Sequence, residues 1–107
     1  MTTCYYCKQL TYKAKTPEAK NNPEALRTRD HYEPKRFTKV VDKGLVVVAC
    51  YKCNSTKGYQ PPEVFEHYLR NKTATTLKEM REEFDLFVYN LTRLAFQVGL
   101  KEANRGR

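Results

Sequence analysis

The chain has 107 residues, of which 40% are hydrophobic and 30% charged, and its formal net charge is +8. That length suits one domain, since compact domains run from roughly 50 to 250 residues. No run of about 18 apolar residues is present to cross a bilayer, and Met1-Thr2-Thr3-Cys4 has neither the charged nor the apolar part of a secretory signal, so we expect a cytoplasmic chain with no membrane partner.

Leu, Ile, Val and Phe are sparse in the first two-thirds, where a conventional core would be thin and would need a metal or disulfides to hold it. Divided after Ala74, the chain carries 14 Lys/Arg against 7 Asp/Glu before that point and 6 against 5 after it. The basic excess therefore lies in the cysteine-containing part, 1–74, and residues 75–107 read as an appended helix. Basicity permits a polyanionic partner without proving one, because a solvated basic surface also keeps a protein soluble.

Cys4-Tyr-Tyr-Cys7 opens the chain as a turn that offers two thiolates to one metal. Residues 8–26 are polar and rich in Lys, Asn and Pro, which predicts loop with a short helical turn. Arg27-Thr-Arg-Asp-His-Tyr32 predicts a short strand ending at Pro34, because the residue before proline is driven toward extended geometry. After a basic loop through Lys43-Gly44 comes Leu45-Val-Val-Val-Ala-Cys50, a β-branched run that predicts the antiparallel partner of that strand. Cys50-Tyr-Lys-Cys53-Asn54-Ser-Thr-Lys57-Gly58 predicts a short helix closed by the glycine, and Pro61-Pro-Glu-Val-Phe starts another, with proline suited to the first turn.

From Thr76 to about Leu100, Leu77, Met80, Phe84, Phe87/Val88, Leu91, Leu94/Ala95 and Val98 recur at three- and four-residue steps, which predicts one long amphipathic helix. Leu86, Tyr89, Arg93 and Phe96 lie off that stripe. The helix either packs on its own domain or forms a seam with a second copy or a larger partner. The fold class expected is α+β: a small two-strand-and-helix core held by a metal, with a long C-terminal helix.

Two Cys-x-x-Cys turns separated by 42 residues supply Cys4, Cys7, Cys50 and Cys53, the ligand set of a closed structural zinc site. In a reducing compartment such pairs argue for zinc over disulfides, and a redox protein needs only one pair. With four thiolates bound, the zinc unit carries about −2, so the net charge falls to about +6. Four protein ligands leave that ion no open position, so any chemistry needs a second site. Asp30-His31, followed 23 residues after the histidine by Asn54, suggests one.

In order, Cys4-x-x-Cys7, Thr28-x-Asp30-His31-x-x-Pro34, Ala49-Cys50-x-x-Cys53-Asn54-x-x-Lys57-Gly58 and Pro62-Glu63 resemble the cysteine-bearing HNH endonucleases over roughly residues 4–65. The resemblance implies a ββα-metal core in which Asp30 and Asn54 hold a catalytic divalent ion, and His31, on the other side of the strand, is the general base for hydrolysis of DNA to 3′-hydroxyl and 5′-phosphate ends. Oxygen ligands suit Mg2+ or Mn2+, and a neutral imidazole can accept a proton near pH 7. Arg29, Lys35, Arg36 and Lys57 are close enough in sequence to grip flanking phosphates. Leu45 stands where the family carries its middle asparagine, a loss that weakens the bracing of the loop beside the histidine. The rival reading is a zinc-stabilised DNA-binding or interaction module of a phage or bacterial complex that kept this fold without catalysis. His67 reads as a packing or solvated histidine, and Tyr5, Tyr6, Tyr51 and Tyr59 read as core around the metal turns.

Overall fold

The computed structural model describes residues 2–33 and 45–105, with side chains through 99. After the Cys4–Cys7 turn come a short helix α1 (Pro17–Asn21), a 3-10 turn (Pro23–Ala25), strands β1 (Arg27–His31) and β2 (Val46–Cys50), and helices α2 (Tyr51–Lys57), α3 (Pro62–Asn71) and α4 (Leu77–Arg105). The architecture is α+β, as the sequence predicts.

The strands form a two-stranded antiparallel sheet in which Arg27 faces Cys50, Asp30 faces Val47 and His31 faces Val46. Alternation along β1 turns Thr28 and Asp30 to the side of the buried Val47 and Ala49, and Arg29 and His31 to the other face. The Cys4–Cys7 turn is fastened to the sheet by the Tyr5 amide, which donates to the Val48 carbonyl at 2.8 Å. Lys8 closes that turn with φ +66°, and its amide donates back to the Cys4 carbonyl at 3.0 Å. At the far end of α2, Gly58 takes φ +55°, where a side chain would be strained, and its amide caps the Asn54 carbonyl at 3.1 Å.

The core is aromatic and sulfur-rich where aliphatic residues are lacking. Cys4, Cys53, Phe65 and Met80 are fully enclosed, joined by Tyr6, Val47, Ala49, Cys50, Tyr68 and Phe84. Phe65 meets Tyr6 edge-on at 5.2 Å and Phe84 edge-on at 5.5 Å, so a single ring lies between the Cys4–Cys7 turn and α4. The start of α4 is part of this body. Thr76 and Glu79 form a reciprocal cap, with the Thr76 hydroxyl accepting the Glu79 amide at 3.3 Å and donating to its carboxylate at 2.8 Å. The Glu24 carboxylate takes the Leu77 amide at 3.1 Å, and Lys52 Nζ donates to the Thr75 carbonyl at 2.9 Å.

Glu83 ties α3 to α4 and to the link between them. Its carboxylate accepts from Tyr68 at 2.7 Å, from the Thr73 hydroxyl at 2.6 Å, from the Thr73 amide at 3.0 Å and from the Ala74 amide at 3.2 Å. The Thr73 hydroxyl, and then Tyr68, hold its pKa down at about 2. A carboxylate with a depressed folded pKa stabilises above its unfolded value, near 4.5, and that contribution is lost as the pH falls toward 2. Glu83→Gln is therefore expected to cost about 1–2 kcal/mol at pH 7, with the deficit shrinking below pH 4.5. Urea midpoints of both proteins measured from pH 7 to pH 3 check this, and a deficit independent of pH would refute it.

Beyond Val88 the helix leaves the body. The radius of gyration is 16.8 Å and the long axis 63 Å, against a radius of about 13 Å for a compact chain of this length. Among the described residues, no helix is long and apolar enough to cross a membrane. Of the four tyrosines read as core, only Tyr6 is; Tyr5, Tyr51 and Tyr59 are exposed, because the enclosed volume beside the metal turns is filled by Tyr6 and Phe65.

Candidate metal centre and the Asp30 pocket

Cys4 and Cys7 come from the N-terminal turn, Cys50 from the end of β2 and Cys53 from the first turn of α2. Their four sulfur atoms lie within 4.8 Å of one another, and Cys7 Sγ stands 3.9 Å from Cys50 Sγ. A disulfide requires about 2.05 Å, and all four cysteines are free. Four sulfurs at about 2.3 Å from one tetrahedral ion would be about 3.8 Å apart, so the cluster is placed to hold a single metal ion. The local backbone prepares it: Cys50 caps α2, its sulfur accepting the Cys53 amide at 3.4 Å.

Electrostatics within the cluster call for a cation. The Cys4 thiol is held far below its ordinary pKa by donation from Cys50, then Cys53 and Cys7. Cys53 is driven far up, first by its interaction with Cys4 and then by Cys50. Cys7 is also held down, at about 6, and Cys50 is driven up, so partial ionisation is tolerated in this space and full ionisation is opposed. A divalent ion removes that opposition and allows all four to ionise.

The second group of residues lies where α2 runs along β1. Asn54 Nδ2 donates to Thr28 Oγ1 at 2.9 Å and to the Arg29 carbonyl at 3.4 Å. One turn further, Lys57 Nζ stands 3.2 Å from Asp30 Oδ2 and 3.1 Å from the His31 carbonyl. The backbone thus brings Asp30, His31 and Asn54 to one stretch of the sheet–helix contact. The imidazole of His31 is half-buried on the outer face of β1, opposite Asp30 in the strand alternation.

Two placements differ from the sequence expectation. Lys57 is not a surface phosphate grip: its side chain is fully enclosed and its ammonium is spent on Asp30. Asp30 does not face an open cation site: it is 6% exposed, and its carboxylate also accepts the Tyr6 hydroxyl. The reason is the inward pleat of β1, which sends Asp30 into the core, where an unpaired carboxylate would be costly. Burial, and then the Asp30 carboxylate, hold the Tyr6 phenol well above its ordinary pKa, so Tyr6 keeps its proton and donates. A divalent ion does not fit at Asp30 while Lys57 stays in place, since two cations would compete for one buried carboxylate. Among the described residues, the side-chain Oδ1 of Asn54 accepts no hydrogen bond.

Arg29 is exposed on the outer face of β1 and free to meet an anion from solution. Lys35 and Arg36, with Pro34 and Gly44, lie outside the described residues. Leu45 is exposed, and its carbonyl accepts the Tyr32 amide at 2.9 Å, extending the ladder past His31. His67 lies on α3 with its ring 5.4 Å from that of Phe87. Sequence reasoning missed the Tyr6–Asp30–Lys57 triad. A basic residue three places after Asn54 was the available signal, but its direction depends on how α2 rolls against β1. No protein-family profile matches the chain, and no curated protein and no solved structure does either.

Proposed function

We propose that this chain is an HNH-type endonuclease that hydrolyses DNA phosphodiester bonds, on a fold held by a structural zinc ion at Cys4, Cys7, Cys50 and Cys53. The observation that carries the reading is an antiparallel strand pair running directly into α2, with Asp30, His31 and Asn54 gathered on that unit and the four-thiol cluster at its base. A soft, closed set of four thiols favours zinc.

His31 is the residue assigned to take a proton from the attacking water. Hydroxide then adds to phosphorus, the bond from phosphorus to the 3′ oxygen breaks, and that oxygen gains a proton from solvent. Arg29 is the described cation suited to hold a flanking phosphate. A bound divalent ion, Mg2+ or Mn2+, would supply charge stabilisation to the phosphate oxygens, with Asn54 and Asp30 as its oxygen donors. Asp30 can serve only after Lys57 has left it.

That requirement favours a second reading. If the Lys57–Asp30 pair persists on DNA, the chain is a zinc-stabilised DNA-binding module without cleavage.

Supercoiled plasmid incubated with Mg2+, Mn2+ or chelator, at matched zinc content and folded concentration, separates the two. We expect metal-dependent nicking by the wild type and a loss of about 100-fold or more in His31→Ala. Cleavage unchanged in His31→Ala would remove the assignment of the base. Binding without cleavage in any metal would establish the second reading, and absence of both would end both.

A further inference from the structure

The four thiols of the metal cluster are not equally reachable. Cys4 and Cys53 are 0% exposed and Cys50 2%, whereas Cys7 is partly exposed. Cys7 and Cys50 also line one cavity of about 270 Å3, bounded further by Tyr12, Asn22, Glu24 and Lys52. That volume is far more than the roughly 10–15 Å3 that admits one water molecule, so a small solute can reach these two sulfurs from solution. The Glu24 carboxylate is turned to the Leu77 amide. Lys52 gives one hydrogen bond to the Thr75 carbonyl and keeps its positive charge at the cavity wall.

Cys7 Sγ lies 3.9 Å from Cys50 Sγ. A disulfide needs about 2.05 Å, so a shift of about 2 Å joins the two. They come from different Cys-x-x-Cys turns, and the other thiol of each turn, Cys4 or Cys53, is enclosed. A small oxidant that enters the cavity therefore meets Cys7 first and finds Cys50 as the second sulfur on the same wall. In redox proteins, by contrast, a Cys-x-x-Cys turn closes on itself.

We propose that Cys7 is the oxidation site of the metal centre, and that a hydroperoxide converts Cys7 and Cys50 into a disulfide that links the two cysteine turns and frees the metal. The Cys7 thiolate attacks one peroxide oxygen, the O–O bond breaks, and the other oxygen departs and takes a proton, as water when the oxidant is hydrogen peroxide. Cys7 is then a sulfenic acid. The Cys50 thiolate attacks that sulfur, the S–S bond forms, and the displaced hydroxide takes a second proton. Each sulfur has lost one electron and the peroxide has gained two. The charge of Lys52 at the cavity wall favours both departing oxygens. Only Cys4 and Cys53 then remain as donors, two where zinc takes four, so the ion is released. The site rests on the four-thiol centre and not on cleavage of DNA.

Treating the full zinc-loaded chain with stoichiometric hydrogen peroxide, and quenching with N-ethylmaleimide, tests this by zinc release to a chromogenic chelator and by peptide mapping. Zinc should be released in step with disulfide formation, the disulfide should join Cys7 to Cys50, and dithiothreitol with added zinc should restore the loaded chain. In a separate sample without peroxide, limiting N-ethylmaleimide should label Cys7 first. A first disulfide between Cys4 and Cys7 or between Cys50 and Cys53 would overturn the proposal. So would zinc retained once the disulfide has formed, sulfinic or sulfonic acid in place of a disulfide, thiols that peroxide leaves unchanged, or first labelling of any thiol other than Cys7. A chain that binds no zinc at the outset would refute the metal centre itself, which zinc analysis before treatment distinguishes from a loaded chain that oxidises elsewhere.

Discussion

Replacing Cys53 by serine is expected to unfold the chain, and chelation of its metal to do the same to the wild type. Cys53 is fully buried at the start of α2, and its sulfur belongs to the cluster that joins the N-terminal turn, β2 and α2. Apart from the Tyr5–Val48 hydrogen bond and the Tyr6–Asp30–Lys57 contacts, little else joins them: the sheet has two short strands, and besides Cys50 the apolar residues it buries are Val47 and Ala49. Structural zinc contributes about 10–16 kcal/mol to folding in small zinc domains, as much as the whole stability of an ordinary domain, about 5–15 kcal/mol. Removing the ion also returns four thiols to a space that opposes their full ionisation. Circular dichroism, thermal melting and elemental zinc analysis read the result together. A Cys53→Ser protein that lacks zinc yet melts within a few degrees of the wild type would show that the aromatic layer of Phe65, Tyr68 and Phe84 holds the fold alone.

The second large effect concerns the ion pair in the Asp30 pocket. Lys57→Met is expected to destabilise by about 3–5 kcal/mol, because it leaves a buried carboxylate with no cation beside it. Adding Asp30→Asn should recover most of that loss, since the amide oxygen can still accept the Tyr6 hydroxyl and no charge remains to be compensated. Urea unfolding of the wild type, the single variant and the double variant gives the coupling directly. If Lys57→Met lies within about 1 kcal/mol of the wild type, the Lys57–Asp30 contact is not holding the folded state. The pair bears on function as well, because any divalent ion at Asp30 has to displace Lys57.

Much of this molecule is legible along the chain because the signals are local. The β-branched run from Val46 to Val48 meets a pleated sheet wherever it is placed, and Pro62, Gly58 and the Thr76–Glu79 cap mark helix boundaries through their own backbone chemistry. The two Cys-x-x-Cys spacings dictate paired thiols, and closure of the 42-residue gap between them follows once one ion must take all four. The three- and four-residue steps of α4 likewise announce an amphipathic helix.

What the sequence could not decide is which group stands opposite each of these. Tyr5 and Tyr6 are adjacent and chemically alike, yet only Tyr6 enters the core, because the turn hydrogen-bonded to Val48 sends the two rings in different directions. Lys57 reads from the sequence as a surface cation, and the roll of α2 on β1 overturns that by aiming the ammonium at Asp30. The α4 stripe is continuous in sequence, but the body ends beside Phe87 and Val88, so one half becomes core and the other half remains surface. By itself the sequence determined the α+β elements and the metal-binding thiols, which depend on residue type and spacing; the tertiary structure alone decided the pairing of Asp30 and the exposure of distal α4, which depend on the distances between elements.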